Sequence, residues 1–170
     1  MKHTHRLSSP NIAYLRNFVF GVEDSLVSTV GLLSGVAIAG VAEETIILTG
    51  IVLIFVEAVS MAAGTFLSEY AAEEYEQKRE VSEGPSLKNG AVMFVSYFVS
   101  GFLPLIPYML FETAVAFWVS IGVSLIALFL LGVLGAKVAH VNLMRNALRM
   151  LFVGGLAITV GVLVGRFFGN

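Results

Sequence analysis

The sequence predicts an all-α polytopic membrane protein of five transmembrane helices, and three observations carry that prediction. Hydrophobic residues make up 57% of the 170 residues and charged residues 13%, with a mean hydropathy of +0.88, outside the range of soluble domains. Five apolar runs of about 20 residues, the length that crosses a bilayer, follow one another along the chain. These runs lack the alternation of barrel strands, which leaves helices as the way to satisfy the backbone in lipid. Residues 1–170 therefore read as a single membrane domain, without a short-period repeat, a low-complexity tract or a linker.

The first span covers Phe18–Gly40, and Glu23 and Asp24 are its ionisable side chains. The preceding MKHTHRLSSPNIAYLRNF is basic but has no small-residue cleavage site, so the span is expected to remain in the mature protein. On a helix, Asp24, Ser28, Gly31 and Gly35 fall at i, i+4, i+7 and i+11 and share one small, polar face. Gly31 and Gly35 form a small-xxx-small pair suited to close helix packing, and a dimer contact is expected there. A lipid-facing aspartate costs at least a few kcal/mol, so Asp24 is expected to face another helix or a water-filled path. Its bland alternative is an interhelical hydrogen bond or a helix-start cap. Glu23 lies near the membrane edge, where it can snorkel or pair with Arg16.

The second span, Thr45–Ser68, holds Glu57 near its middle and Met61 one turn later. A hard oxygen and a soft sulfur on one helix face suit a dication of borderline softness such as Fe2+ better than Ca2+ or Mg2+. Methionine alone proves nothing, being packing material in most apolar helices. The helix is expected to continue through AAEEYEQKRE, which has strong helix formers and no breaker before Gly84 and Pro85. Glu69, Glu73, Glu76 and Glu80 then form a carboxylate stripe at the mouth, able to concentrate cations. A merely solvated helix face is the competing reading.

The third span, Gly90–Leu110, contains Pro104 and Pro107, expected to interrupt and bend it. The fourth and fifth, Thr113–Ala136 and Leu151–Phe168, carry no acid, and their glycines read as packing positions. Joints at Val41–Glu44 and at Phe111 and Glu112 are short, and those at Glu69–Asn89 and Lys137–Met150 are longer. The last of these reads either as an amphipathic interfacial helix or as a basic loop. Lys2, Arg6, Arg16, Lys78, Arg79, Lys88, Lys137, Arg145 and Arg149 fall on one side and Arg166 on the other, which places the N-terminus in the cytoplasm.

Cysteine is absent, and His3, His5 and His140 all lie outside the spans. Neither a Walker loop nor a serine nucleophile motif is present, so the chain does not read as an enzyme and uphill transport would have to borrow an ion gradient.

The motifs DSLVSTVGLLSGV, EAVSMAAGTFLS, GFLPLIPY and GVLVGRFFG, in that order over nearly the whole chain, resemble the vacuolar iron transporter family. The resemblance implies a five-helix homodimer that moves Fe2+, and often Mn2+, out of the cytosol in exchange for protons along the dimer interface. It implies that Asp24 and Met61 stand at the aspartate and methionine of the translocation path. The chain departs from the family in a second-to-third-span connection of only about 20 residues, so the cytoplasmic metal-binding domain is largely missing. It also has Thr65 where many relatives have Glu, and Ser25 where Gly is usual. Glu69, Glu73 and Glu76 would be what remains of the capture surface.

The expected function is thus a secondary transporter exporting Fe2+ or Mn2+ by proton antiport, with metal ligands among Asp24, Glu57, Met61, Glu69, Glu73 and Glu76. No permanently bound cofactor is expected. The expected partners are a transition-metal dication, protons, membrane lipid and a second copy of the chain, with no nucleic acid, and the location is the inner (plasma) membrane if the source is prokaryotic. One competing function is a structural or sensor membrane protein whose acids serve helix association. Another is proton-coupled transport of an organic cation, for which no aromatic cage is visible.

Overall fold

The computed structural model describes residues 10–169, and Lys2, His3, His5 and Arg6 lie outside them. Among the described residues the chain forms five helices: α1 (Pro10–Ile38), α2 (Glu43–Gln77), α3 (Glu83–Leu110), α4 (Thr113–Val138) and α5 (Leu143–Phe168). All five are long and apolar enough to cross a membrane. Short connections alternate between the two ends, so α1, α3 and α5 run in one direction and α2 and α4 in the other.

Most of the helices outrun their apolar segments. α1 starts at Pro10 rather than Phe18, with proline at the first helical position, where its missing N–H costs nothing. α2 runs 35 residues, roughly 52 Å at 1.5 Å per residue, well beyond a hydrocarbon core of about 30 Å. Its turns past Ser68 therefore project from the membrane, as expected. It stops sooner than the sequence suggests, however. Lys78 takes the left-handed conformation at φ 53° and closes the helix through its N–H to the Glu74 carbonyl, while its ammonium stands 3.6 Å over the Tyr75 ring. Glu80 is consequently off the helix and off the stripe. Gly84 and Pro85 act as starters instead of breakers, because they lie in the first turn of α3 beside Glu83, where an acid complements the helix dipole.

Two further expectations are corrected. The segment Lys137–Met150 is neither an interfacial helix nor a loop. α4 continues to Val138, and α5 begins at Leu143 with Asn142 accepting the Arg145 N–H at 2.9 Å as its cap. Nor do Pro104 and Pro107 interrupt α3, which runs unbroken through both. Both prolines are buried, and the Ser120 hydroxyl of α4 donates to the Pro104 carbonyl at 2.7 Å. That bond is one of the cross-helix polar contacts that make proline tolerable in a membrane helix.

α1 is the central helix and packs against the other four. Its seam with α5 is made of glycine. A Cβ on Gly35 would stand 2.6 Å from the Gly161 carbonyl oxygen, and one on Gly31 would stand 3.2 Å from that of Ala157. The small-xxx-small pair thus does pack closely, and the helix it receives is α5 of the same chain. Toward the end where α1 finishes and α2 begins, Leu33, Ile46, Ile54, Leu105, Tyr108 and Ala116 form a buried apolar cluster. The Gly40 turn beyond it needs φ +76°, which glycine adopts without strain.

Candidate functional site

Between that apolar cluster and the charged end of the bundle, α1, α2 and α3 bring polar groups together. Asp24 is half-buried on α1, and Glu57, half-buried on α2, lies within electrostatic reach of it. Tyr97 on α3 lies within electrostatic reach of both. Tyr97 is fully buried, its hydroxyl lies 2.7 Å from Ser28 Oγ, and its carbonyl accepts the Ser25 hydroxyl at 2.6 Å. The Ser25 side chain is needed for that bond.

Asp24, Ser28, Gly31 and Gly35 do share a face. All four line one groove of about 920 Å³ along the α1–α5 seam, walled on the α5 side by residues from Val153 to Gly169. Asp24 supplies the ionisable group on this wall, at the end nearer the charged side of the bundle. Glu23 is half-buried beside Asp24, and its expected partner is taken: Arg16 bonds Glu69 of α2 instead.

The remaining predicted ligands separate from this pair. Met61 is half-buried one turn beyond Glu57. Glu69 lies twelve residues beyond Glu57, roughly 18 Å along the helix, so the two cannot share one ion. Glu73 accepts the Gln77 side-chain amide at 2.9 Å, and Glu76 is exposed. Among the described residues no three acidic or imidazole groups gather closely enough to hold a metal ion. The structure therefore offers two separate acidic places on one chain, a mid-helix pair and a stripe at the mouth.

Sequence reasoning placed Ser28 on the face of Asp24 but missed Tyr97. A tyrosine inside an apolar span needs a partner for its hydroxyl, and that was the available signal for Tyr97. Nearer the mouth, Asn17 and Asn89 are also buried, with Asn17 Nδ2 and Asn89 Oδ1 lacking a hydrogen-bond partner among the described residues. Such groups in an apolar bundle are costly unless water or an ion reaches them.

Comparison with known proteins finds relatives over most of the chain. The model of the VIT family matches residues 15–89 and 74–166, which together span nearly the whole chain. Vacuolar iron transporter homolog 3 of Arabidopsis thaliana is 30% identical over 165 residues, covering 89% of this chain and 82% of the relative. Vacuolar iron transporter homolog 1 of Oryza sativa subsp. japonica is 31% identical over 177 residues, covering 92% and 74%. Homolog 4 of Arabidopsis thaliana is 29% identical over 165 residues, covering 89% and 82%.

Proposed function

The chain belongs to the VIT family, a family of transporters rather than enzymes, and from that premise we propose that it exports Fe2+, Mn2+ or both from the cytoplasm in exchange for protons. It is an integral, multi-pass membrane protein. In the proposed orientation the N-terminus and the α2–α3 and α4–α5 connections face the cytoplasm, because Arg16, Lys78, Arg79, Lys88, Lys137, Arg145 and Arg149 stand at that end and Arg166 at the other. In a prokaryotic cell the membrane would be the inner one.

What supports this reading most is that Asp24 on α1 and Glu57 on α2 are both half-buried among apolar helices and lie within electrostatic reach of one another. Two neighbouring carboxylates inside a membrane bundle attract a dication to the space between them. Metal and protons then compete for the same oxygens, which is the requirement for antiport. The hydroxyls of Ser28 and Tyr97 offer neutral oxygens next to the pair, and Met61 offers a soft sulfur one turn away. Even with Glu23 beside Asp24, one chain supplies fewer ligands there than a hydrated dication gives up. A homodimer that closes the Asp24–Gly35 wall with a second copy would double them and seal the path from lipid.

Uptake into proteoliposomes under an imposed pH gradient, compared for Fe2+, Mn2+, Zn2+ and Co2+, tests the proposal. The wild type should accumulate Fe2+ or Mn2+ only with the gradient, and Asp24→Asn should be folded but nearly inactive. Failure to move any of the four ions would favour the structural or sensor role, in which the acids serve helix association.

A further inference from the structure

The corner between α4 and α5 collects three basic side chains, none of them in an ion pair among the described residues. No Asp or Glu follows Glu112 in the sequence, so Lys137, Arg145 and Arg149 stand on two helices without a carboxylate. The ion pair found among the described residues is the distant one between Arg16 and Glu69. α5 is capped by the neutral Asn142, so Arg145 adds its charge to a helix end that is already positive. Such an arrangement attracts an anion.

The shape beside the arginines indicates what kind of anion. Arg145, Leu148, Arg149, Phe152 and Val153 line an open cleft of about 460 Å³, and all five are exposed. Arg145 and Arg149 sit one turn apart at the end of α5 where the chain enters the bundle, and Phe152 and Val153 lie deeper. The cleft is therefore cationic at the level of the membrane surface and apolar toward the membrane interior. A soluble anion has no use for the apolar part, whereas a phospholipid presents its phosphate and acyl chain in that order along the membrane normal. Guanidinium binds phosphate oxygens bidentately. A zwitterionic headgroup would bring a second cation toward Lys137, which favours a net anionic lipid.

We propose that this cleft seats an anionic phospholipid, its phosphate held by Arg145 and Arg149 and an acyl chain lying on Leu148, Phe152 and Val153. The lipid also braces the contact between the two helices. Directly behind the cleft, Asn146 Nδ2 donates to the Gly132 carbonyl at 2.8 Å, and a Cβ on Gly132 would stand 2.7 Å from Ala147 Cα. A ligand on one exposed face of α5 thus holds the opposite face against α4. The inference does not rest on the transport reading, and its test uses no metal.

The test is native mass spectrometry of the purified full chain, offered equal amounts of phosphatidylglycerol and phosphatidylcholine, alongside thermal unfolding in detergent with either lipid. The wild type should retain phosphatidylglycerol preferentially, on the order of tenfold for two charges near a membrane surface, and phosphatidylglycerol alone should raise its midpoint. Arg145→Gln with Arg149→Gln should lose both effects while eluting as the wild type does, and the paired Lys substitutions should keep part of the preference. Lys78→Gln with Arg79→Gln should leave the preference intact. Equal retention of both lipids by the wild type, an undiminished preference in the arginine double variant, loss of preference in the Lys78/Arg79 variant, or displacement of the lipid by millimolar inorganic phosphate would each overturn the proposal.

Discussion

The hydroxyl oxygens of Ser28 on α1 and Tyr97 on α3 lie 2.7 Å apart, one helical turn along α1 from Asp24. This contact fixes the α1–α3 register beside the acidic pair, because Tyr97 is fully buried and its ring cannot turn its hydroxyl elsewhere. The bond is equally suited to orienting a neutral oxygen toward whatever Asp24 holds.

Tyr97→Phe therefore separates the structural part of that contact from the functional part. Removing the hydroxyl leaves the ring volume in place and costs one hydrogen bond, about 1 kcal/mol, so the detergent unfolding midpoint should fall only by a few degrees. If capture occurs at the mouth, the maximal transport rate should fall severalfold while the KM for metal stays close to that of the wild type. A wild-type rate in Tyr97→Phe would make the contact purely structural.

The glycines give a contrast that depends on geometry alone. Gly35→Val places a side chain against the Gly161 carbonyl, where even a Cβ would stand at 2.6 Å, whereas a Cβ at Gly122 or Gly155 meets nothing within 4 Å. Gly35→Val should destabilise the bundle by several kcal/mol or prevent its assembly, because backbone rather than a flexible side chain must move. Gly122→Ala and Gly155→Ala should be neutral or stabilising by up to about 1 kcal/mol, the usual gain on replacing an unneeded helix glycine. Similar midpoints for all three variants would contradict the α1–α5 seam.

This contrast also marks the limit of what the sequence revealed. The five spans, the short joint at Phe111 and Glu112, and the shared face from Asp24 to Gly35 are all legible, because hydropathy and the 3.6-residue period report burial directly. The helix starts at Pro10, Glu83 and Leu143 are not, because hydropathy measures the thickness of the membrane, and a helix can continue through polar turns outside it. Small-xxx-small spacing at Gly31 and Gly35 tells that a backbone approaches closely and does not say whose. The pairing of Arg16 with Glu69 instead of Glu23 is likewise set by how α2 docks, a tertiary fact with no local signature.

That ion pair bears on the stripe at the mouth. Arg16 neutralises Glu69 in the structure, so Arg16→Gln should release a carboxylate for cation capture and lower the apparent KM for metal. Neutralising Glu69, Glu73 and Glu76 together should raise KM far more than it lowers the maximal rate. Both effects should shrink as salt rises, because exposed charges are screened over about 8 Å at physiological ionic strength. A triple variant that lowers the maximal rate at unchanged KM would move these residues from capture to translocation.

Met61→Leu tests whether selectivity is set by the sulfur beside Glu57. Met61 is half-buried one turn from Glu57, and leucine keeps nearly all of its volume while removing a soft donor, so stability should change by less than about 1.5 kcal/mol. If the thioether contacts the ion, preference for Fe2+ over the harder Mn2+ should fall in competition uptake, since borderline metals gain more from sulfur than hard ones do. The salt dependence should stay that of the wild type, because the substitution leaves every charge at the mouth in place. An unchanged Fe2+ to Mn2+ ranking in the same vesicles would reduce Met61 to packing and leave Asp24 and Glu57 to set selectivity through oxygen alone.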